Sequence, residues 1–110
     1  MAMLERNLTG NFDAVLRALH DGVMNGSMSA SFEDGAEFTT GTARCAVRMY
    51  ERYSWSGGNR VALSLTLTGC GNNLHLVAIT AGGSQATFFK INTWGEEAFL
   101  DTLSQVVDNL

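Results

Sequence analysis

The sequence predicts an α+β fold: an N-terminal helix, an antiparallel meander sheet of about five strands and a C-terminal helix, with both helices on one face of the sheet. Three observations carry that prediction. Apolar residues recur at helical spacing near each end of the chain. The stretch between them alternates with a period of two. Short Gly, Asn and Asp clusters separate the alternating segments and leave no room for helical crossovers. With 110 residues the chain holds one core, so residues 1-110 read as a single domain.

The first helix is expected from Asn11 to about Met24, where Phe12, Val15, Leu16, Leu19 and Val23 form one apolar stripe. Its other side carries Asp13 and Arg17 at the favourable i, i+4 spacing, then His20 and Asp21, while Gly22 and Asn25-Gly26 supply stop signals. Period two then takes over. Candidate strands are Ser27 to Glu33, Arg44 to Trp55, Arg60 to Thr68, Leu74 to Ala81 and Gln85 to Ile91. Turns fall at Glu33-Asp34-Gly35 with Thr40-Gly41-Thr42, at Ser56-Gly57-Gly58, from Gly69 to Asn73, and at Gly82-Gly83-Ser84. The last element starts at Thr93, which forms a Thr-x-x-Glu capping box with Glu96. Phe99, Leu103, Val106, Val107 and Leu110 continue it as an apolar stripe, with Leu100 at the margin.

Alternation sorts the strand residues into two faces. Met28, Ala30 and Phe32, then Cys45, Val47, Met49, Tyr53 and Trp55, then Val61, Leu63, Leu65 and Leu67 are assigned to an apolar face that receives both helices. The opposite face collects Ser27, Ser29, Ser31, Arg44, Arg48, Tyr50, Arg52, Ser64, Thr66 and Thr68, and is expected to stay open. On it Arg44, Arg48 and Arg52 form a row with steps of about 13 Å. With Tyr50 and Ser29 this row is a candidate site for a small carboxylate or phosphate ligand, because the planar guanidinium fork suits bidentate anions. The competing reading is a solvated stripe neutralised within the sheet, in a register that sets Phe32 opposite Cys45 and Glu33 opposite Arg44. Glu51 interrupts the apolar set between Met49 and Tyr53. Either a bulge turns it outward, or Arg17, His20 or a chain terminus pairs it near the sheet end; a catalytic role for it has no visible partner.

The net charge of −4 would repel a phosphate backbone or an anionic membrane, so neither nucleic acid nor a membrane is an expected partner. No window approaches the ~20 apolar residues of a spanning helix, and Met1 to Gly10 lacks the apolar run of a signal peptide, which points to the cytoplasm. Cys45 and Cys70 fit neither a CxxC pair nor zinc-ligand spacing and read as free thiols. His20, His75 and the scattered acids add no recognisable metal set, so neither metal nor cofactor is expected. A Cys70–His75 pair on neighbouring strands is geometrically conceivable but has no orienting group or oxyanion hole. Gly82, Gly83 and Ser84 read first as a hairpin turn and second as a loop nest for an anion. Phosphate-cradling loops lead into a helix, whereas Gln85 to Ile91 reads as a strand. Trp55 and Trp94 are expected to anchor the core.

The segments Asn25-Gly26-Ser27-Met28-Ser29-Ala30-Ser31-Phe32-Glu33-Asp34-Gly35, Arg44-Cys45-Ala46-Val47-Arg48, Tyr50-Glu51-Arg52-Tyr53-Ser54 and Ile79-Thr80-Ala81-Gly82-Gly83-Ser84-Gln85 resemble a bacterial family known as domain of unknown function 6054. The likeness runs over nearly the whole chain. It implies a bacterial stand-alone domain and brings no activity, ligand or catalytic residue with it. No set of residues assembles a catalytic constellation, so the leading expectation is a non-enzymatic cytosolic binding or protein-interaction module. A small-molecule or anion binder using the arginine face comes second, and an enzyme of unknown class third. Self-association is expected from Leu74-His75-Leu76-Val77-Ala78-Ile79, which is apolar on both faces. Either Leu74, Leu76 and Ala78 or His75, Val77 and Ile79 must be covered by something other than the helices. A second copy in a homodimer is one cover, and a strongly curled sheet is the other.

Overall fold

The computed structural model describes residues 2–26, 29–53, 60–82 and 89–110, the side chains of 89–98 excepted. The elements run β1 (Ala2–Thr9), α1 (Phe12–Asn25), β2 (Ser31–Thr40), β3 (Ala43–Tyr53), β4 (Arg60–Cys70), β5 (Asn73–Gly82) and α2 (Phe89–Asp108). The sheet is antiparallel throughout, in the order β1-β5-β4-β3-β2. Strands β2 to β5 are therefore the expected meander, and β1 returns to the edge beside β5.

Helix α1 forms as its pattern requires. The Asn11 side chain accepts the Ala14 N–H at 2.9 Å, satisfying one of the free first-turn donors, and Phe12, Val15, Leu16, Leu19 and Val23 are the buried residues. Gly22 does not stop the helix. It lies where α2 crosses so closely that a Cβ would stand 2.3 Å from Val106 Cγ2, and at Gly26 one would stand 2.4 Å from Thr102 Cγ2. The turns at Gly41 and Gly71 both use φ +61°, a conformation that glycine adopts without steric cost.

The bounds and order of the elements correct the sequence reading in several places. Strand β1 was not read from the sequence, although Leu4 and Leu8 alternate correctly and pair with Ala78 and Leu74; Arg6, in line with them, obscures the stripe. Of the fifth strand expected at Gln85 to Ile91, residues 85–88 lie outside the described residues and helix runs from Phe89 onward, so Thr93 and Glu96 lie inside α2 and do not cap it. A short apolar run such as Phe88-Phe89-Lys90-Ile91 has no periodicity of its own to decide between the two. Strand β2 begins at Ser31 and passes straight through Glu33-Asp34-Gly35, which is a bulge, with the register shifting between Phe32 and Asp34. Leu110 lies beyond the end of α2 and is exposed. Trp55, the turn at Ser56-Gly57-Gly58, and Gly83 and Ser84 lie outside the described residues, as does the Trp94 side chain.

The core is a single layer between the sheet and both helices. Leu63, Leu65 and Leu67 of β4, Leu76 and Ala78 of β5, Leu19 of α1 and Leu103 of α2 are all fully buried, each large side chain contributing roughly 1.5–3 kcal/mol on leaving water. In β5 it is thus Leu74, Leu76 and Ala78 that meet the helices, and His75, Val77 and Ile79 that face away. Strand β3 reverses the expected assignment. Pairing puts Tyr50 opposite Leu63 and Ala46 opposite Leu67, and both Tyr50 and Ala46 are fully buried. Residues opposite each other share a face. Arg44, Arg48, Tyr50 and Arg52 therefore lie on the helix side, and Cys45, Val47, Met49, Glu51 and Tyr53 on the open side.

Candidate functional site

Two helices do not span five strands. Helix α2 packs on β5, β1 and β4, and α1 packs against α2 and β4, so β2 is left exposed from Phe32 to Thr40. Between the polar side of α1 and the uncovered ribbon of β2 and β3 runs a groove of about 400 Å³, lined by Asp13, Leu16, Arg17, His20, Asp21, Glu37 and Arg48. It adjoins a second hollow, which shares Glu37 and Arg48 and adds Phe32, Gly35 and Ala36.

At the head of this groove a buried tyrosine fixes a histidine. The Tyr50 hydroxyl lies 2.9 Å from His20 Nδ1, and the Phe32 ring packs edge-on against both rings, 5.6 Å from that of Tyr50 and 6.0 Å from that of His20. Burial raises the Tyr50 pKa, against the opposing pull of Arg48, so the phenol keeps its proton at neutral pH. Gly35 stands opposite Arg48 and provides the room that Phe32 and the Arg48 stem fill; a Cβ there would lie 2.8 Å from the Val47 carbonyl oxygen and 3.3 Å from Phe32 Cζ.

The three arginines of the expected row do not form one site. Arg44 donates to both carboxylate oxygens of Asp13, at 2.9 and 3.0 Å, and lies 4.3 Å over the Phe12 ring. The hydrogen bonds from Arg44 hold the Asp13 carboxyl below its ordinary range. Arg52 lies 4.5 Å over the Phe99 ring, with its Nε buried and unpartnered among the described residues, and burial lowers its pKa. Arg48 is held loosely, 3.4 Å from His20 Nδ1 and 3.3 Å from Glu37 Oε2. The register that was to neutralise the row is also different: Phe38 faces Cys45 and Thr39 faces Arg44. Ser29 lies apart from the row, its Oγ accepting the Tyr53 N–H at 3.2 Å. Gly82 ends β5.

Glu51 does not touch the core. It lies on the open face, where Arg60 Nη2 meets Oε1 at 2.8 Å, and the register of β3 with β4 runs through it without a bulge. Cys70 and His75 take different partners. Cys70 Sγ lies 3.5 Å from Thr42 Oγ1, whereas His75 stands between Glu5 Oε2 and Asn7 Oδ1, each at 2.7 Å. Among the described residues no three His, Cys, Asp or Glu side chains come together as a metal set, and no helix is long and apolar enough to cross a membrane. Sequence reasoning missed the His20–Tyr50 contact. Its signal was His20 on the polar edge of α1, which acquires meaning only once β3 is turned over.

No curated protein is significantly similar to the chain. The chain is similar to the crystal structure of TTHA0849 from Thermus thermophilus, with 13% sequence identity and a TM-score of 0.39 over 96% of this chain and 95% of that one. A family model matches residues 1–110 from end to end, and the chain belongs to that family, DUF6054, a family of unknown function.

Proposed function

We propose that the protein is a cytoplasmic interaction module that associates with a second copy of itself through the open face of its sheet. The observation that carries the reading is that face's apolar centre. Val47 and Met49 of β3, Val77 and Ile79 of β5 and Met3 of β1 flank Ser64 and Thr66 of β4 in adjacent register rows. Met3 is 62% and Ile79 38% exposed. The carboxylates around this centre are engaged within the chain, Glu5 by His75 Nε2 and Glu51 by Arg60. An apolar centre inside a polar rim is the composition of an interface.

The size agrees. Five strands at ~4.8 Å spacing and eight residues at ~3.3 Å give a face on the order of 600 Å² per protomer, and two such faces clear the roughly 1,000 Å² that a specific association needs. Pairing through the β2 edge is opposed by the bulge at Glu33, by Glu37, and by Asp34, whose side chain accepts the Gly35 N–H at 2.8 Å. Both cysteines are free thiols, which suits a reducing compartment. Sedimentation equilibrium should show a dimer at tens of micromolar, and Val77→Asp should give a folded monomer. A wild type that stays strictly monomeric overturns the reading.

A further inference from the structure

Of the three arginines on β3, Arg48 alone has both a groove beside it and contacts long enough to be exchanged. Its neighbours explain why. Arg44 makes two short bonds to Asp13, and Arg52 is stacked on Phe99. The Arg48 contacts at 3.3 and 3.4 Å are well outside the roughly 2.7–2.9 Å of a strong charge-assisted bond.

The tautomer of His20 follows from its partners. A guanidinium only donates, so where Arg48 and His20 share a hydrogen bond Nδ1 accepts it, which is the Nε2–H tautomer. The groove thus brings the Arg48 guanidinium and the His20 ring together in its lining, and the adjoining hollow, which shares Arg48 and Glu37, adds the half-exposed Phe32. At about 400 Å³ it has the volume of a small-molecule site. Glu37, a carboxylate already resting against Arg48, shows what chemical group that guanidinium accommodates.

We propose that this groove and the hollow beside it bind a small aromatic carboxylate, whose carboxylate takes the place of Glu37 on Arg48 while its ring lies against Phe32. Glu37 is then an internal placeholder. The site lies on the opposite side of the sheet from the proposed dimer face, so the failure of one reading leaves the other standing.

The probe is benzoate, followed by two-dimensional amide NMR on the intact chain, with benzamide as the uncharged control. Saturable shifts are expected at His20, Phe32, Gly35 and Arg48 with benzoate and not with benzamide. Glu37→Gln should bind benzoate roughly two- to fivefold more tightly, the size of one exposed ion pair removed as competitor. Arg48→Gln should bind at least about tenfold more weakly, as when a hydrogen bond to a charged group is lost. Glu37 is half exposed, so Glu37→Gln decides the matter even if Arg48→Gln fails to fold. Absence of saturable benzoate binding to Glu37→Gln, or equal binding of benzamide, overturns the proposal.

Discussion

Asp13 and Arg44 illustrate how one contact ties α1 to the sheet and how pH should act on it. Asp13 has a carboxyl pKa lowered from its ordinary 3.8 by the Arg44 hydrogen bonds. A depressed carboxylate stabilises the fold fully above its unfolded value, and that contribution fades as pH falls through the lower, folded one. The stability difference between the wild type and Asp13→Asn should therefore be constant above about pH 5 and shrink through the acid range below 3.8. Urea midpoints measured at several pH values check this, and a difference that grows on acidification contradicts it. At Tyr50, removing the buried hydroxyl in Tyr50→Phe leaves His20 Nδ1 with only the long contact from Arg48, at an expected loss of about 1 kcal/mol. Arg52 differs from both. Its Nε has no partner among the described residues, so Arg52→Met, which keeps the packing against Phe99, should leave the urea midpoint unchanged or higher.

Where α1 meets α2, close approach depends on two glycines one turn apart. Gly22→Ala raises intrinsic helix propensity by about 1 kcal/mol, yet its Cβ would stand 2.3 Å from Val106 Cγ2. Valine is stiff at χ1, so the helices must separate. Overpacking of this kind costs roughly 1–3 kcal/mol, and the expected sum is a modest net destabilisation, read as a lowered thermal midpoint. A rise in the midpoint would mean that the helices slide apart freely. Edge strand β2 follows a different logic. Its bulge and its acidic residues Glu33, Asp34 and Glu37 keep an exposed ten-residue edge from pairing with another strand.

Across the whole molecule, the sheet has one face that the helices cover up to β2 and one left to solvent or a partner. A charge placed on each face separates folding from association. Leu76 is fully buried, so Leu76→Asp should unfold the protein, because an unpaired buried carboxylate costs several kcal/mol. Val77, its neighbour in sequence, faces away, and Val77→Asp should leave circular dichroism intact. A dimer also predicts that the thermal midpoint of the wild type rises with protein concentration and that of Val77→Asp does not.

Period and turn chemistry were enough to determine α1 with its buried stripe, the alternation of β4, the glycine turns at Gly41 and Gly71, and the α+β class, because each is a local pattern along one segment. The side of β3 that faces the core was not local. Arginine and tyrosine carry long apolar stems beneath their polar tips, so Arg44, Arg48, Tyr50 and Arg52 could line either face. The pairing of Tyr50 with Leu63 and Ala46 with Leu67 settled which. The same holds for β1, whose partner β5 lies about seventy residues away, and for the bulge at Glu33, which sets Phe32 above Gly35. The groove was illegible for that reason. It exists only because two helices are narrower than five strands, and that fact belongs to no single stretch of the chain.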